Sequence, residues 1–153
     1  MSAATALPPL VKSVVVAAAP DRAFDLFTAE IGQWWPLVTH SVGQESATDV
    51  TMECRLGGRI VETVRDGSTY VWGTITVWSP GSSLTFTWHP GQPESEATRV
   101  TVSFLPDGEQ TAVRLVHTGW DNRPDGVRAR TGYDAGWDIV LAPLASWAVP
   151  AQP

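Results

Sequence analysis

Apolar and polar residues alternate through the middle of the chain, roughly from residue 48 to residue 120. A period of two is typical of strands with one buried and one solvated face. Gly57-Gly58, Asp66-Gly67, Pro80-Gly81 and Pro106-Asp107-Gly108 interrupt the alternation at the places where a chain would turn. The pattern therefore predicts an antiparallel meander of about six strands.

The two ends of the chain follow other patterns. "LVKSVVVAA" at residues 10–18 is rich in β-branched residues and predicts a first strand. Pro20 and Asp21 suit the first turn of a helix, and the apolar residues that follow recur at helical spacing. Residues 124–148 carry apolar positions at steps of three and four and predict a long C-terminal helix, with a kink or a local break at Pro143.

This order of elements predicts an α+β fold in which one curved antiparallel sheet of about seven strands wraps the long C-terminal helix. With 153 residues, the chain has the size of a single domain, and we expect its core to span residues 10–148. The first residues lack the basic segment and unbroken apolar run of a secretory signal, so they are interpreted as an unstructured leader.

Charge and cysteine content narrow the classes of partner. The formal charge is −6 and no cluster of Lys or Arg is present, which argues against nucleic acid and anionic membranes as partners. No apolar run is long enough to predict a transmembrane helix. The single cysteine, Cys54, permits no internal disulfide and suits a reducing compartment, so a cytoplasmic location is predicted.

Several short motifs carry a resemblance to a known family: "ECRLGGRIVETVRDG", "WGTITVWSPGSSLTFTW" and "VRLVHTGW" followed by "YDAGWDIVLAPL". Over residues 10–148 the chain resembles the START-like or SRPBCC superfamily, in the branch of the activator of the heat-shock chaperone ATPase. The resemblance implies a helix-grip fold with an internal pocket. It implies no reaction, because members of the superfamily carry lipids, cyclise polyketides, activate chaperones or serve other functions.

The three histidines are far apart in sequence and match no metal motif, so neither a metal nor a cofactor is predicted. His117 is the most informative of them. Val113, Leu115 and His117 share one strand face, which should meet the long helix. Two alternatives stay open: His117 is a hydrogen-bonded core residue, or it contacts a ligand and transfers protons.

The stretch "QWWPLVTHSVG" at residues 33–43 must leave the first helix and cross to the meander, since Pro36 does not continue a helix. One of the two tryptophans can fill the core while the other faces the open end of the sheet. We predict a ligand-binding void at that end, and its candidate residues are Trp35, Trp88, His117, Tyr133 and Trp137. The same tryptophans can instead be ordinary packing.

Three further expectations come from alternation alone. Cys54, between Met52 and Leu56, is expected to be buried. Glu53, Arg55, Arg59, Glu62 and Arg65 are expected to form charge pairs on a solvated face. Both faces of the strand at residues 70–78 are apolar, so its inward face stays unassigned.

Three functions remain compatible with the sequence. The leading hypothesis is a protein that binds a small apolar or aromatic molecule between the sheet and the C-terminal helix. An alternative is a polyketide cyclase or aromatase in which His117, with Tyr133, moves protons. A third is an interaction protein like the chaperone activators. Homodimerisation is a further prediction, which rests on exposed aromatic surface.

Overall fold

One antiparallel sheet of seven strands and a long C-terminal helix dominate the computed structural model, which describes residues 7–147. The strands are β1 (Leu10–Val16), β2 (Ala47–Met52), β3 (Arg59–Val64), β4 (Thr69–Ser79), β5 (Ser83–Trp88), β6 (Thr98–Asp107) and β7 (Gln110–Thr118). The helices are α1 (Pro20–Phe27), α2 (Ile31–Trp34) and α3 (Gly126–Trp147). The predicted α+β helix-grip fold is confirmed.

The strand order is β1-β7-β6-β5-β4-β3-β2, and every neighbouring pair is antiparallel. Strands β2 to β7 therefore form the predicted meander, and β1 joins it beside β7. The longest register runs between β6 and β7, from Arg99 opposite Thr118 to Asp107 opposite Gln110. The sheet curls into a half-barrel, and its concave face buries the core.

Helices α1 and α3 cover the sheet with apolar side chains. In α1 the buried residues include Phe24 and Phe27, and the Phe24 ring meets Phe104 of β6 at 5.2 Å between centroids. In α3 one stripe is buried at the spacing predicted for an amphipathic helix: Trp137, Val140, Leu141 and Leu144. The helix continues through Pro143 to Trp147, so no local break occurs at this proline.

The set of β4 side chains that points to the core changes twice along the strand. For this reason the alternation in the sequence could not show which face of β4 is buried. Trp72 and Ile75 are buried, and Trp78 meets the Phe24 ring at 5.0 Å between centroids. This spacing of three is incompatible with a regular strand. The register with β3 shifts between Ile60 and Val61, and the register with β5 shifts between Ile75 and Val77. Each irregularity reverses the side-chain parity, so three large side chains reach the core.

The expectation that Cys54 is buried is wrong. Strand β2 ends at Met52, and Cys54 is exposed. The backbone of Glu53 donates to the Arg59 carbonyl at 2.9 Å and closes the connection to β3 just after that strand end. Leu56 lies within this connection and is 65% exposed. The alternation of apolar and polar residues thus continues in the sequence beyond Met52, where the pairing of β2 with β3 ends.

The exposed surface is aliphatic more than aromatic in the part of the chain that the structure describes. Tyr70 is the exposed large aromatic residue there, whereas Val11, Val15 and Leu105 are among the exposed aliphatic ones. The aromatic surface from which dimerisation was predicted is therefore not found in residues 7–147, and homodimerisation stays a prediction. Residues 1–6 of the predicted leader, the tail after Trp147 and the Trp147 side chain lie outside the description. The expectation of an unstructured leader is wrong for Pro8 and Pro9, whose carbonyls accept hydrogen bonds from Arg130 at 2.8 and 3.2 Å. No helix within the described range has the length and hydropathy needed to cross a membrane.

Gly73 permits the first face change of β4, and its replacement should destabilise the fold. A Cβ atom at Gly73 would collide with the Thr87 carbonyl of β5. We expect Gly73→Ala to lower the free energy of unfolding by at least about 2 kcal/mol, because two paired backbones would have to separate. Urea denaturation measures this change.

Gly132→Ala is the matched control, because a Cβ atom at this position in α3 meets nothing within 4 Å. This variant should gain about 0.5–1 kcal/mol from helix propensity. Equal stability of Gly73→Ala and the wild type would contradict the close approach of β4 and β5.

Candidate functional site

A cavity of about 390 Å³ lies between α3, the sheet and the segment that follows α2. We call residues 35–43 the cavity loop. It supplies Trp35, Thr39, His40, Ser41 and Val42 to the lining. The remaining lining residues come from β4, from the end of β5 and from α3: Trp72, Trp88, Pro90, Gly91, Tyr133, Gly136, Trp137 and Val140.

The two adjacent tryptophans have separate positions. Trp34 is buried beside Phe27 of α1, with ring centroids 5.5 Å apart, and its indole N–H donates to the Leu26 carbonyl at 2.7 Å. Trp35 lines the cavity, and its indole N–H donates to the His40 carbonyl at 2.7 Å. Trp34 thus packs in the core. Trp35 is the first residue of the cavity loop, and its hydrogen bond to His40 joins the start of the loop to its middle.

Four tryptophans form a continuous wall of the cavity. The Trp35 ring centroid lies 5.0 Å from that of Trp72, 5.9 Å from that of Trp88 and 6.0 Å from that of Trp137. Trp88 also contacts Trp72 and Trp137, each at 5.6 Å. Separations of this kind are those of favourable aromatic pairs. Trp72 was not among the candidates, because the parity of β4 could not be deduced from the sequence.

The structure brings four of the five sequence candidates to the cavity, namely Trp35, Trp88, Tyr133 and Trp137. Tyr133 stacks on Trp137, one turn later in α3, with ring centroids 5.9 Å apart. The Tyr133 hydroxyl accepts a hydrogen bond from the Trp88 indole N–H at 3.0 Å. The fifth candidate, His117, is fully buried and is not among the lining residues.

His117 lies behind the tryptophan wall and uses both ring nitrogens. Trp137 donates its indole N–H to Nδ1 at 3.0 Å. Because an indole nitrogen only donates, Nδ1 must be unprotonated and Nε2 must carry the proton. Nε2 is 2.6 Å from the Thr98 hydroxyl, which donates onward to the Trp88 carbonyl at 3.2 Å. The Trp120 ring packs on the imidazole with centroids 3.9 Å apart.

This environment keeps His117 neutral. Burial, and secondarily the positive charge of Arg123, lowers the pKa of His117 from 6.5 to about 3. A proton added to Nδ1 would also face the Trp137 N–H. Of the two alternatives from the sequence, the geometry matches the hydrogen-bonded core residue.

A second buried polar group supports the cavity loop. Glu62 of β3 is fully buried, and its two carboxylate oxygens accept from the backbone N–H groups of Val42 and Gly43, each at 2.8 Å. One of these oxygens also accepts from the Trp72 indole N–H at 2.9 Å. A Cβ atom at Gly43 would clash with Val64, so glycine allows this close approach. One carboxylate thus joins the loop to the tryptophan wall.

The expectation that Glu62 belongs to a solvated charged face is wrong. Ile60, Glu62 and Val64 occupy alternate positions and are all buried, whereas Arg59 is exposed. Strand parity alone would have placed Glu62 inside. His40 was missed as well as Trp72 and Glu62. No role in a site was predicted for this histidine, yet it lines the cavity, and its Nδ1 is 2.7 Å from the Thr39 hydroxyl. Nothing in the pattern around His40 indicates this position, which depends on how the cavity loop folds.

Within residues 7–147, no group of three or more His, Cys, Asp or Glu side chains is arranged to hold a metal ion. The lining itself contains no Asp, Glu, Lys or Arg among the described residues. The cavity is therefore aromatic, with polar groups limited to a few hydroxyls, indole nitrogens and one imidazole. Such a lining is suited to a flat apolar ligand with few hydrogen-bonding groups.

Comparisons with known proteins agree with this architecture. A family model described as "Activator of Hsp90 ATPase homolog 1-like protein" matches residues 17–148. The chain belongs to this family. The resemblance inferred from the sequence motifs is thereby confirmed. A comparison with curated proteins found no significant match.

Solved structures of similar fold include members with different descriptions. An anthrahydroquino-gamma-pyrone synthase, Txn09, solved in a complex, is 30% identical over 92% of this chain and 97% of its own, with a TM-score of 0.64. The Aha1 dimer from Colwellia psychrerythraea is 18% identical over 93% of this chain and 96% of its own, with a TM-score of 0.67. CalU16 from Micromonospora echinospora is 17% identical over 93% of this chain and 76% of its own, with a TM-score of 0.63. The last two show similarity of fold alone.

Glu62→Gln should weaken the attachment of the cavity loop. The amide keeps the shape of the carboxylate but replaces one acceptor with an N–H donor, which leaves a buried donor of the protein unpaired. We expect the free energy of unfolding to fall by about 1–3 kcal/mol. Hydrogen exchange at the amides of Val42 and Gly43 should accelerate. The control Glu109→Gln, on an exposed turn, should change stability by less than about 0.5 kcal/mol. Unchanged exchange at both amides would show that Glu62 does not hold the loop.

The neutral state of His117 makes stability depend on pH. Below pH 6.5 the unfolded chain gains a proton on this residue, but the folded protein does not until about pH 3. The free energy of unfolding should therefore fall as pH falls through this window, by about 2 kcal/mol between pH 7 and pH 5. His117→Gln, which cannot titrate, should lack this contribution, so its stability deficit relative to the wild type should shrink at pH 5. Parallel stability curves for the two proteins, measured by urea denaturation, would contradict the assignment.

Proposed function

We propose that this protein binds a flat, uncharged aromatic molecule in the cavity between the sheet and α3. The observation that carries the proposal is the wall of Trp35, Trp72, Trp88 and Trp137 around a space of about 390 Å³. This volume falls within the range of small-molecule sites. Indole rings offer broad faces and edges for stacking on a planar ligand.

The way in which the cavity is held supports the same function. Glu62 fixes the cavity loop, and the Trp35 indole bonds the His40 carbonyl within that loop. On the opposite side, His117 fixes Trp137, and the Thr98 hydroxyl bonds the Trp88 backbone. A cavity whose walls are already ordered costs less conformational entropy when a ligand enters. The buried polar groups therefore favour a preformed binding site.

A second candidate is an enzyme that acts on such an aromatic molecule. The observation that favours it is the 30% identity to the synthase Txn09 over nearly the full length of both chains. In this alternative, proton transfer was first ascribed to His117 and Tyr133. Because His117 has no free nitrogen, His40 and Tyr133 are the lining residues suited to that role. Interaction with a chaperone ATPase has the support of family membership alone.

Filling the cavity from α3 tests the binding proposal. Gly136 lines the cavity, and a Cβ atom there meets nothing within 4 Å. Gly136→Leu should place its side chain in the ligand space while favouring the helix. We expect the affinity for the neutral probe N-phenyl-1-naphthylamine, measured by its fluorescence and by quenching of tryptophan emission, to fall at least about ten-fold, because overpacking a filled site costs about 1–3 kcal/mol.

Gly132→Leu is the matched control. Gly132 lies one turn earlier in α3, is exposed, and does not line the cavity. This variant should bind the probe like the wild type, and both variants should keep the thermal midpoint of the wild type or exceed it. Equal probe binding by Gly136→Leu and the wild type would place the probe elsewhere and overturn the proposed site.

A further inference from the structure

The Tyr133 hydroxyl uses part of its hydrogen-bonding capacity within the described chain. Its oxygen accepts the Trp88 indole N–H at 3.0 Å. The direction of this bond is fixed, because an indole nitrogen has a proton and no available lone pair. The Trp88 indole therefore uses a lone pair of the oxygen, and the phenolic proton remains available.

That proton has no acceptor in the part of the chain that the structure describes. The hydrogen bonds of residues 7–147 include Tyr133 as an acceptor and not as a donor. Burial raises the pKa of Tyr133 above its usual 10, although the Trp88 bond and Arg123 act in the opposite direction. At neutral pH the hydroxyl is thus protonated and can donate.

The position of the donor is built into the fold. Trp88 is held by its backbone carbonyl, which accepts the Thr98 hydroxyl, and Thr98 is in turn bonded to His117. Tyr133 stacks on Trp137, whose indole bonds the same histidine. Both partners of the Trp88–Tyr133 bond are therefore fixed through one buried imidazole. A donor held in this way at an aromatic wall can distinguish between ligands of equal shape.

We propose that Tyr133 is the specificity-determining donor of this site and selects aromatic ligands that present a carbonyl oxygen, such as aromatic ketones and quinones. The inference rests on the proposed binding function. A carbonyl oxygen accepts a hydrogen bond from the phenol and carries no net charge. Such a group suits a lining without acidic or basic residues in the described chain. A hydrocarbon of the same shape leaves the proton unpaired in an apolar space.

The pair 9-fluorenone and fluorene tests the inference, because the two compounds share one three-ring skeleton and differ at a single carbon that carries the carbonyl oxygen. Their affinities are measured by displacement of N-phenyl-1-naphthylamine from the whole protein. The wild type should bind 9-fluorenone about five- to ten-fold more tightly than fluorene, the range of one net hydrogen bond. Tyr133→Phe should lose the preference, so that its affinities for 9-fluorenone and fluorene become equal within about two-fold.

Tyr70→Phe is the control, since Tyr70 is the other tyrosine of the chain and is 41% exposed. It should keep the full preference. If both compounds bind the wild type with equal affinity, or if Tyr133→Phe keeps the preference, the inference is overturned and the binding function stands. If neither compound displaces the probe, the proposed function fails together with the inference. The thermal midpoint of Tyr70→Phe should equal that of the wild type, whereas that of Tyr133→Phe should fall, because the buried Trp88 indole N–H loses its acceptor. A cooperative unfolding transition above the assay temperature in both variants shows that a lost preference does not come from unfolding.

Discussion

The hydrogen bond from the Trp137 indole to Nδ1 of His117 joins the long helix to β7 of the sheet. It fixes the tautomer of the imidazole, and the other ring nitrogen continues the chain to Thr98 and the Trp88 carbonyl. Three strands and one helix are thus linked by one line of polar atoms within an apolar core. If one member of this line is removed, its buried neighbour is left without a hydrogen-bond partner. The arrangement is therefore specific as well as stable.

The cavity lies between this line and a second polar anchor, the Glu62 carboxylate. The first anchor orients Trp88 and Trp137, and the second holds Trp72 and the backbone of the cavity loop. Neither His117 nor Glu62 lines the cavity. The polar chemistry that shapes the space is therefore kept behind the aromatic surface that a ligand would meet. This separation allows the lining to stay apolar although charged and polar groups lie one layer away.

The sequence predicted the architecture well because periodicity is local information. Alternation revealed the meander, and steps of three and four revealed α3. The parity of β4 could not be predicted, since its two irregularities depend on where β3 and β5 pair with it. At Cys54 the alternating pattern continues in the sequence although the strand has already ended, so burial was predicted where the chain is exposed. Glu62 was predictable from its parity with Ile60, but its charge was given more weight than its position. His40 depends on the path of the cavity loop, which no periodic pattern encodes.

The division between anchors and lining also bears on how the site can change over generations. Val140 and Pro90 line the cavity, and their side chains take no part in the hydrogen bonds that hold its walls. Substitutions at such positions alter the shape of the space while the two polar anchors keep the scaffold intact. Mutational steps toward a new ligand therefore need not pass through unfolded intermediates. A fold with this property is evolvable, since recognition can diverge among descendants while the frame is inherited unchanged.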